Sequence, residues 1–324
     1  MKLSTDVDIT SLTQKMRYKD KILLIGSCFA DNIGTKLAQH YYSVLVNPFG
    51  VLFNPESICA LLSRAIGNGV EPEWFTRDDL FLNNGLYYSW LLHGEFANSS
   101  AETVLLNANK SLAECRDFLN NSKWIIITLG TSWIYRLKEN NLVVSNCHKM
   151  PAELFDRERM CTKDIGNSLG GIFEKMFAIN KELSIILTVS PVRHQKDGLH
   201  QNQLSKAALL LAADELCRSF ANVHYFPAYE IMMDQLRDYR FYDTDMCHPN
   251  QLAVDIIFEK FREYALSSDK EEQSMFERAE KIHALMEHRI LNAGSTAAAA
   301  FEQKREQEFN DFMYALSIMK SSAN

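Results

Sequence analysis

The sequence predicts an α/β protein in which helices cover both faces of a mostly parallel sheet. Short, continuously apolar segments alternate with longer segments of helical periodicity between residues 21 and 264. Continuous apolar runs are typical of strands buried on both faces, and alternating strands and helices are typical of parallel sheets. The length of 324 residues and the hydrophobic fraction of 47% allow one large domain with room for an appendage.

The first predicted elements are a strand over residues 21–25 (KILLI) and a helix over residues 29–41. Small side chains recur along that helix and give it one face for close packing. Pro55 and Pro249 are each expected at the first position of a helix, where the missing N–H costs no hydrogen bond. The remaining strands are predicted over residues 43–47, 123–129, 184–189 and 223–226, and the remaining helices over residues 55–65, 101–119, 162–179, 200–220 and 249–264.

Two segments depart from this alternation. Residues 133–145 alternate between apolar and polar side chains as a β-hairpin does. Residues 70–97 are irregular and rich in aromatic side chains, which indicates an insertion near a pocket.

The character of the sequence changes after residue 266. Two amphipathic helices are predicted at roughly 269–290 and 300–319, separated by the sequence NAGSTAAAA at residues 292–300. Each helix carries one apolar stripe, which must be buried against the core or against a second subunit. The chain is therefore divided into a domain at residues 1–266 and a helical appendage at residues 267–324.

Composition argues against several classes of partner. The net charge of −7 and the pI of about 5.8 argue against binding to nucleic acid. No apolar run approaches the roughly 18 residues that a membrane span needs, and the N-terminus lacks an apolar signal segment. Seven cysteines without CxxC spacing indicate reduced thiols. These features predict a cytoplasmic protein, although a removed signal peptide would leave the same pattern.

A serine lies where the first strand meets the first helix. Ligands of parallel sheets bind at the carboxyl ends of the strands, and Ser27 stands at such an end in the sequence Gly26-Ser27-Cys28-Phe29. The free N–H groups of a helix N-terminus can hold an oxyanion. A helix-capping serine is the simpler interpretation. A phosphate loop is disfavoured, since neither G-x-x-x-x-G-K-[ST] nor G-x-G-x-x-G is present.

A carboxylate and a histidine lie three residues apart in the sequence YDTDMCHP. At this spacing Asp245 can reach His248, select its tautomer and stabilise the imidazolium that forms on accepting a proton. The alternative is a capping aspartate beside a surface histidine.

These features together resemble the GSCFA family, whose name spells residues 26–30 of this sequence. Similar stretches are LGTSWIY, NCHK, SPVRHQKDG and FPAYEIMMDQLRDYRFYDTDMCHP, and the resemblance extends over about residues 20–265. The family is similar to SGNH (GDSL-type) hydrolases. The resemblance implies a three-layer α/β sandwich with a flavodoxin-like sheet, followed by the C-terminal helical appendage.

The SGNH relation implies a catalytic triad and an oxyanion hole. Ser27 would be the nucleophile, His248 the base and Asp245 the residue that orients the base. The backbone N–H groups of Ser27 and Gly50 would bind the oxyanion. SGNH enzymes add an asparagine in a G-x-N-D sequence after the third strand, but this chain has Gly-Thr-Ser-Trp there. The missing donor is therefore expected from Ser132, Thr131 or Asn146.

Other residues near the strand ends are predicted to contact the substrate. These are Thr131, Trp133, His148, Arg193 and His194. His148 could bond to a sugar hydroxyl or be a structural histidine. Arg193 could bind a carboxylate or a phosphate, or pair with an acidic loop residue.

The sequence thus predicts a serine esterase that acts on a small O-acyl ester, with an O-acetylated carbohydrate as the suggested substrate, and needs no cofactor or metal. Two alternatives remain open. One is a metal-dependent hydrolase using His148, His194 and His248 with Asp245 and Cys147 or Cys247. The other is a non-catalytic binding or scaffold module, which would suit assembly into a homo-oligomer through the C-terminal helices.

Overall fold

The computed structural model describes residues 5–289 and 295–321 and contains five parallel strands in one central sheet. The chain forms, in order, β1 (Lys21–Gly26), α1 (Cys28–Gln39), β2 (Ser43–Val46), α2 (Pro55–Ile66), β3 (Phe81–Asn83), β4 (Leu86–Tyr88), α3 (Ala101–Asn121), β5 (Trp124–Leu129), β6 (Trp133–Leu137), β7 (Val143–Val144), β8 (Phe155–Arg159), α4 (Thr162–Ile179), β9 (Ser184–Val189), α5 (Leu199–Ser219), β10 (Val223–Tyr225), α6 (Ala228–Glu230), α7 (Gln251–Ala265), α8 (Lys270–Glu287) and α9 (Thr296–Ser321).

The central sheet has the strand order β10-β9-β5-β1-β2. Every neighbouring pair is parallel, with Ile22 of β1 opposite Val44 of β2 and Trp124 of β5. Order and direction are those of flavodoxin-like sheets. The predicted fold class is confirmed.

Alternate side chains of the strands enter two separate cores. From β1, Leu23 and Ile25 pack with apolar side chains of α2, α3, α4 and α5. Ile22 and Leu24 pack on the opposite face with α1, α7, α8 and α9. This division produces the three layers, because a strand presents successive side chains to opposite faces.

The structure corrects several predicted local features. Pro249 precedes α7 instead of starting it, because Asn250 is the N-cap and its side-chain oxygen accepts the N–H of Ala253 at 3.0 Å. The aromatic insertion contains the β3–β4 hairpin. The predicted hairpin at residues 133–145 has a third strand, since β8 pairs with β6.

Helices α8 and α9 pack on the central domain at the C-terminal end of α1. Phe276 of α8 stacks on His40, with ring centres 3.9 Å apart. Phe312 of α9 meets the ring of Tyr41 edge-on at 4.9 Å. The sequence predicts these helices at 269–290 and 300–319 with a break at residues 292–300. Residues 290–294 lie outside the described residues, and residues 296–300 of the predicted break are helical, because α9 begins at Thr296. The boundary at residue 266 stays a prediction.

The N-terminal segment before β1 packs on the end of α7. Met16 forms a parallel β-bridge with Leu266, and the Leu12 N–H donates to the Tyr264 carbonyl at 3.0 Å. None of the helices within residues 5–289 and 295–321 is long and apolar enough to cross a membrane.

Replacing Phe312 by alanine is expected to destabilise the protein by about 3–5 kcal/mol, the usual cost of truncating a buried phenylalanine. Its side chain is 0% exposed, whereas Tyr314 on the same helix is 71% exposed. Tyr314→Ala should therefore change stability by less than about 0.5 kcal/mol. Urea unfolding of the full chain measures both values. Equal, small effects would mean that α9 contributes little to the stability of the fold.

Candidate active site

Ser27 begins α1 at the carboxyl end of β1. Its hydroxyl accepts the Phe29 N–H at 3.4 Å, and the residue is only 1% exposed. The turn before it requires glycine: Gly26 has φ +139°, and a Cβ there would lie 2.1 Å from the Thr128 carbonyl oxygen. The sheet therefore holds the backbone of Ser27 closely against the end of β5.

The two predicted backbone donors of the oxyanion hole have partners within the chain. The Ser27 N–H donates to the Thr128 carbonyl at 3.0 Å, and the Gly50 N–H donates to the Asn47 carbonyl at 2.8 Å. The Cys28 N–H, in the first turn of α1, donates to no carbonyl within residues 5–289 and 295–321. The Ser27 and Gly50 N–H groups stay predicted oxyanion donors, and the Cys28 N–H is a further backbone group beside Ser27.

Asp245 and His248 are joined as their spacing predicts. The Nδ1 atom of His248 lies 2.5 Å from Oδ2 of Asp245, and Oδ1 of Asp245 accepts the N–H groups of His248 at 3.0 Å and of Cys247 at 2.8 Å. These bonds favour the carboxylate and lower the pKa of Asp245 to about 2. The bond to Nδ1 leaves Nε2 as the ring nitrogen that can take a proton. The His248 side chain is 49% exposed.

His194 and Gly130 connect Ser27 with the loop of His248. A Cβ on Gly130 would lie 3.3 Å from the Ser27 Cβ, so β5 ends directly beside Ser27. The His194 side chain is close enough to the Gly130 backbone and to His248 for the first to raise its pKa and the second to lower it. The Arg193 N–H donates to the Cys247 carbonyl at 3.1 Å.

The environment of His194 favours its neutral form. Burial is the main cause, followed by the positive charge of Lys206, and together they lower the pKa of His194 to about 4.

Among the described residues, His248 forms no hydrogen bond with Ser27 Oγ. Such bonds often tighten only when substrate is bound.

Lys206 is a residue that the sequence analysis missed. It is 1% exposed, and its ammonium donates to the carbonyl oxygens of Gly130 at 2.6 Å and Ser190 at 2.7 Å, at the ends of β5 and β9. Burial lowers the pKa of Lys206 to about 7, although interaction with Cys28 raises it slightly. No carboxylate within residues 5–289 and 295–321 forms an ion pair with it. Its signal in the sequence was its position on the apolar stripe of α5, with Leu209, Ala213 and Leu216.

Asn47 is a second missed residue. Its side-chain oxygen accepts the Gly26 N–H at 2.8 Å, and its amide donates to Asp31 at 2.6 Å. It adopts φ +41° directly after β2. Asn47 thereby ties the ends of β1 and β2 to the first turn of α1, and an amide directly following a strand was the signal that could have revealed it.

The hydroxyl groups after β5 bond to a serine of α5. Ser205 contacts the Thr131 hydroxyl at 3.1 Å and accepts the Ser132 hydroxyl at 3.0 Å. Asn146 closes a turn by accepting the His148 N–H at 2.8 Å. Ser132, Thr131 and Asn146 therefore have partners within the chain, and their oxyanion role stays a prediction.

Trp133 and His148 also have partners of their own. The guanidinium of Arg157 lies over the Trp133 ring at 4.1 Å. His148 bonds to the Ser89 carbonyl at 2.9 Å and packs on Tyr88, with ring centres 4.8 Å apart. Within residues 5–289 and 295–321, no group of three or more His, Cys, Asp or Glu side chains is arranged to hold a metal ion.

Comparisons with known proteins agree with the resemblance in the sequence. Residues 21–261 match the profile of the GSCFA family. The solved structure of Clostridium thermocellum family 3 carbohydrate esterase resembles the chain at 10% sequence identity and a TM-score of 0.35, covering 76% of this chain and 94% of that one. This likeness is too distant to inform activity. No curated protein matches the chain.

Proposed function

The chain belongs to the GSCFA family, and from this premise we propose that it is a serine ester hydrolase. The observation that carries the proposal is the hydrogen-bonded pair of Asp245 and His248 at 2.5 Å. This pair lies on a loop bonded to the His194 segment, and His194 in turn contacts Gly130 beside Ser27. A nucleophile, a base and a carboxylate that orients the base are the groups that acyl transfer through serine requires.

In the proposed reaction, Ser27 Oγ attacks the ester carbonyl carbon while Nε2 of His248 takes its proton. The carbonyl electrons move to oxygen, and the N–H of Cys28 is the proposed donor to that oxyanion from the first turn of α1. Collapse breaks the bond to the alcohol oxygen, which receives the proton from His248. Water then adds to the acyl-serine with His248 again as base, and release of the acid restores Ser27.

The proposed substrate is a small O-acyl ester, with an O-acetylated carbohydrate as the specific suggestion. The sugar is suggested by the aromatic insertion at residues 70–97, whose rings could stack on a carbohydrate. Some of these rings already stack on each other, since Phe81 lies on Trp90 with ring centres 3.9 Å apart. Small acyl groups suit the 1% exposure of Ser27, because a long chain needs a wider approach.

Hydrolysis of p-nitrophenyl esters of graded chain length and of O-acetylated sugars tests this function. We expect turnover of acetyl or propionyl esters, falling as the acyl chain lengthens. A fluorophosphonate should label Ser27, as identified by peptide mass spectrometry. Absence of both turnover and labelling would remove the esterase proposal.

The low exposure of Ser27 and the internal partners of the Ser27 and Gly50 N–H groups favour a second candidate, a non-catalytic binding or scaffold module. In such a module the Asp245–His248 pair would serve only the structure of its loop. The same labelling experiment separates the two candidates, because a scaffold does not need a serine activated toward phosphonates.

Replacing Asp245 by asparagine should lower kcat about 100- to 10,000-fold with little change in KM, since the amide no longer selects the correct tautomer of His248. Asp243→Asn is the matched control. Asp243 lies in the same loop, but its carboxylate accepts the Thr244 N–H at 2.6 Å and does not bond to His248. Steady-state kinetics of both variants would contradict the assigned role of Asp245 if their kcat values were equal.

A further inference from the structure

Arg193 borders a cavity next to the candidate active site. The cavity has a volume of about 470 Å³, and its lining includes Arg193, Gln203, Tyr239 and Tyr242. Arg193 directly precedes His194, and its N–H bonds to the carbonyl of Cys247, the residue before His248. The loop of Arg193 and the loop of His248, the proposed base, are therefore joined beside this cavity.

The guanidinium of Arg193 is held by aromatic rings. It lies over the ring of Tyr242 at 4.1 Å and 5.4 Å from the centre of the Tyr239 ring. The Tyr242 hydroxyl is also an interaction partner of Arg193, which leaves the other N–H groups of the guanidinium for a planar acceptor. Within residues 5–289 and 295–321, no carboxylate forms an ion pair with Arg193.

The other charged groups of the cavity are already paired. Arg237 bonds to Asp234 at 2.5 Å, and the Asp238 carboxylate lies 3.7 Å from Nε of Arg240 and accepts its backbone N–H at 2.9 Å. Gln203 accepts the Tyr229 hydroxyl through its oxygen at 2.7 Å, which leaves its amide N–H groups as further donors. The cavity thus combines one cation that lacks an ion-pair partner with neutral donors, an arrangement suited to an anion.

We propose that this cavity is a subsite for an anionic group of the substrate, a carboxylate or a phosphate, bound by Arg193 and flanked by Tyr239 and Tyr242. The proposal rests on the esterase function and specifies its substrate as an acidic ester. Arginine binds both anions through two parallel hydrogen bonds, which lysine cannot supply.

Binding measurements test the subsite without requiring turnover. The probes are inorganic phosphate, glucuronate as the carboxylate, and glucose as the neutral control, titrated calorimetrically into the full chain. We expect one or both anions to bind and glucose not to bind. Arg193→Gln should weaken that binding at least tenfold, and Arg193→Lys should weaken it less.

Arg237→Gln is the matched control, because Arg237 lines the same cavity but is paired with Asp234. It should bind the anions as the wild type does. Tyr239→Ala should weaken binding even if the Arg193 variants fold poorly, since Tyr239 is 64% exposed and its removal leaves the core intact.

The outcomes separate this proposal from the esterase function. Hydrolysis of neutral esters without binding of either anion would overturn the subsite and leave the esterase intact. Anion binding that is lost in Arg193→Gln, without turnover of any ester, would support the anion site and remove the esterase. Equal affinity in the wild type and Arg193→Gln would also overturn the subsite.

Discussion

Ser27→Ala is expected to lower kcat for ester hydrolysis by about 10⁴- to 10⁶-fold, the range typical of removing a serine nucleophile. The protein should remain folded, because alanine fits the space of serine and the hydroxyl makes one weak capping bond, to the Phe29 N–H at 3.4 Å. Loss of an N-cap costs about 0.5–2 kcal/mol. Activity assays and urea unfolding on the same preparations measure the two effects.

Ser100→Ala is the matched control for Ser27→Ala. Ser100 is the N-cap of α3 and accepts the Thr103 N–H at 3.2 Å, so its replacement has a similar capping cost away from the candidate site. We expect wild-type kcat in Ser100→Ala. Wild-type turnover by Ser27→Ala as well would show that the nucleophile lies elsewhere.

The second large effect is a dependence of stability on pH that comes from Lys206. The pKa of Lys206 is lowered from 10.5 to about 7 on folding, so the unfolded chain binds more protons between these values. The contribution of Lys206 to stability should therefore rise as the pH increases from 7 toward 10.5, with the full penalty present below pH 7. Each unit of the shift corresponds to about 1.4 kcal/mol, which makes the total several kcal/mol.

Other titratable groups near Lys206 act in the opposite direction at higher pH. Burial raises the pKa of Cys28 and of Tyr229, so their contributions to stability fall as the pH rises above the values for an unfolded chain. The contribution of Lys206 is therefore measured as a difference between variants. In urea unfolding at pH 7, 8 and 9, the wild type and Lys196→Met, which replaces an exposed lysine of the adjoining loop, should gain stability relative to Lys206→Met as the pH rises. Parallel curves for the wild type and Lys206→Met would assign the dependence to another group.

The central sheet and the Asp245–His248 contact could both be predicted from the sequence. A run such as WIIITL predicts a buried strand from six consecutive residues alone. The Asp245–His248 contact likewise depends only on a spacing of three residues. The position of Ser27 between a strand and a helix was also predicted, and Ser27 follows β1 as the N-cap of α1. Each of these features is determined by residues that are close together in the sequence.

The remaining features depend on distant partners. The Ser27 N–H is engaged because β1 and β5 pair with Gly26 opposite Thr128, a register that no local pattern contains. In the sequence Lys206 looks like an ordinary helical lysine. Only the folded chain shows that the carbonyls of Gly130 and Ser190 bind its ammonium. The oxyanion donors were inferred from the resemblance, and this chain forms its own hydrogen bonds at those positions.

The contact between the N-terminal segment and residues 264–267 has a consequence for synthesis on the ribosome. The ammonium of Lys15 bonds to the carbonyl of Tyr264, 249 residues later in the chain. At about 5–20 residues per second, the earlier residue waits roughly ten to fifty seconds for its partner. The N-terminal segment therefore lacks this partner until α7 has been synthesised, long after β1 has both of its sheet neighbours, β2 and β5.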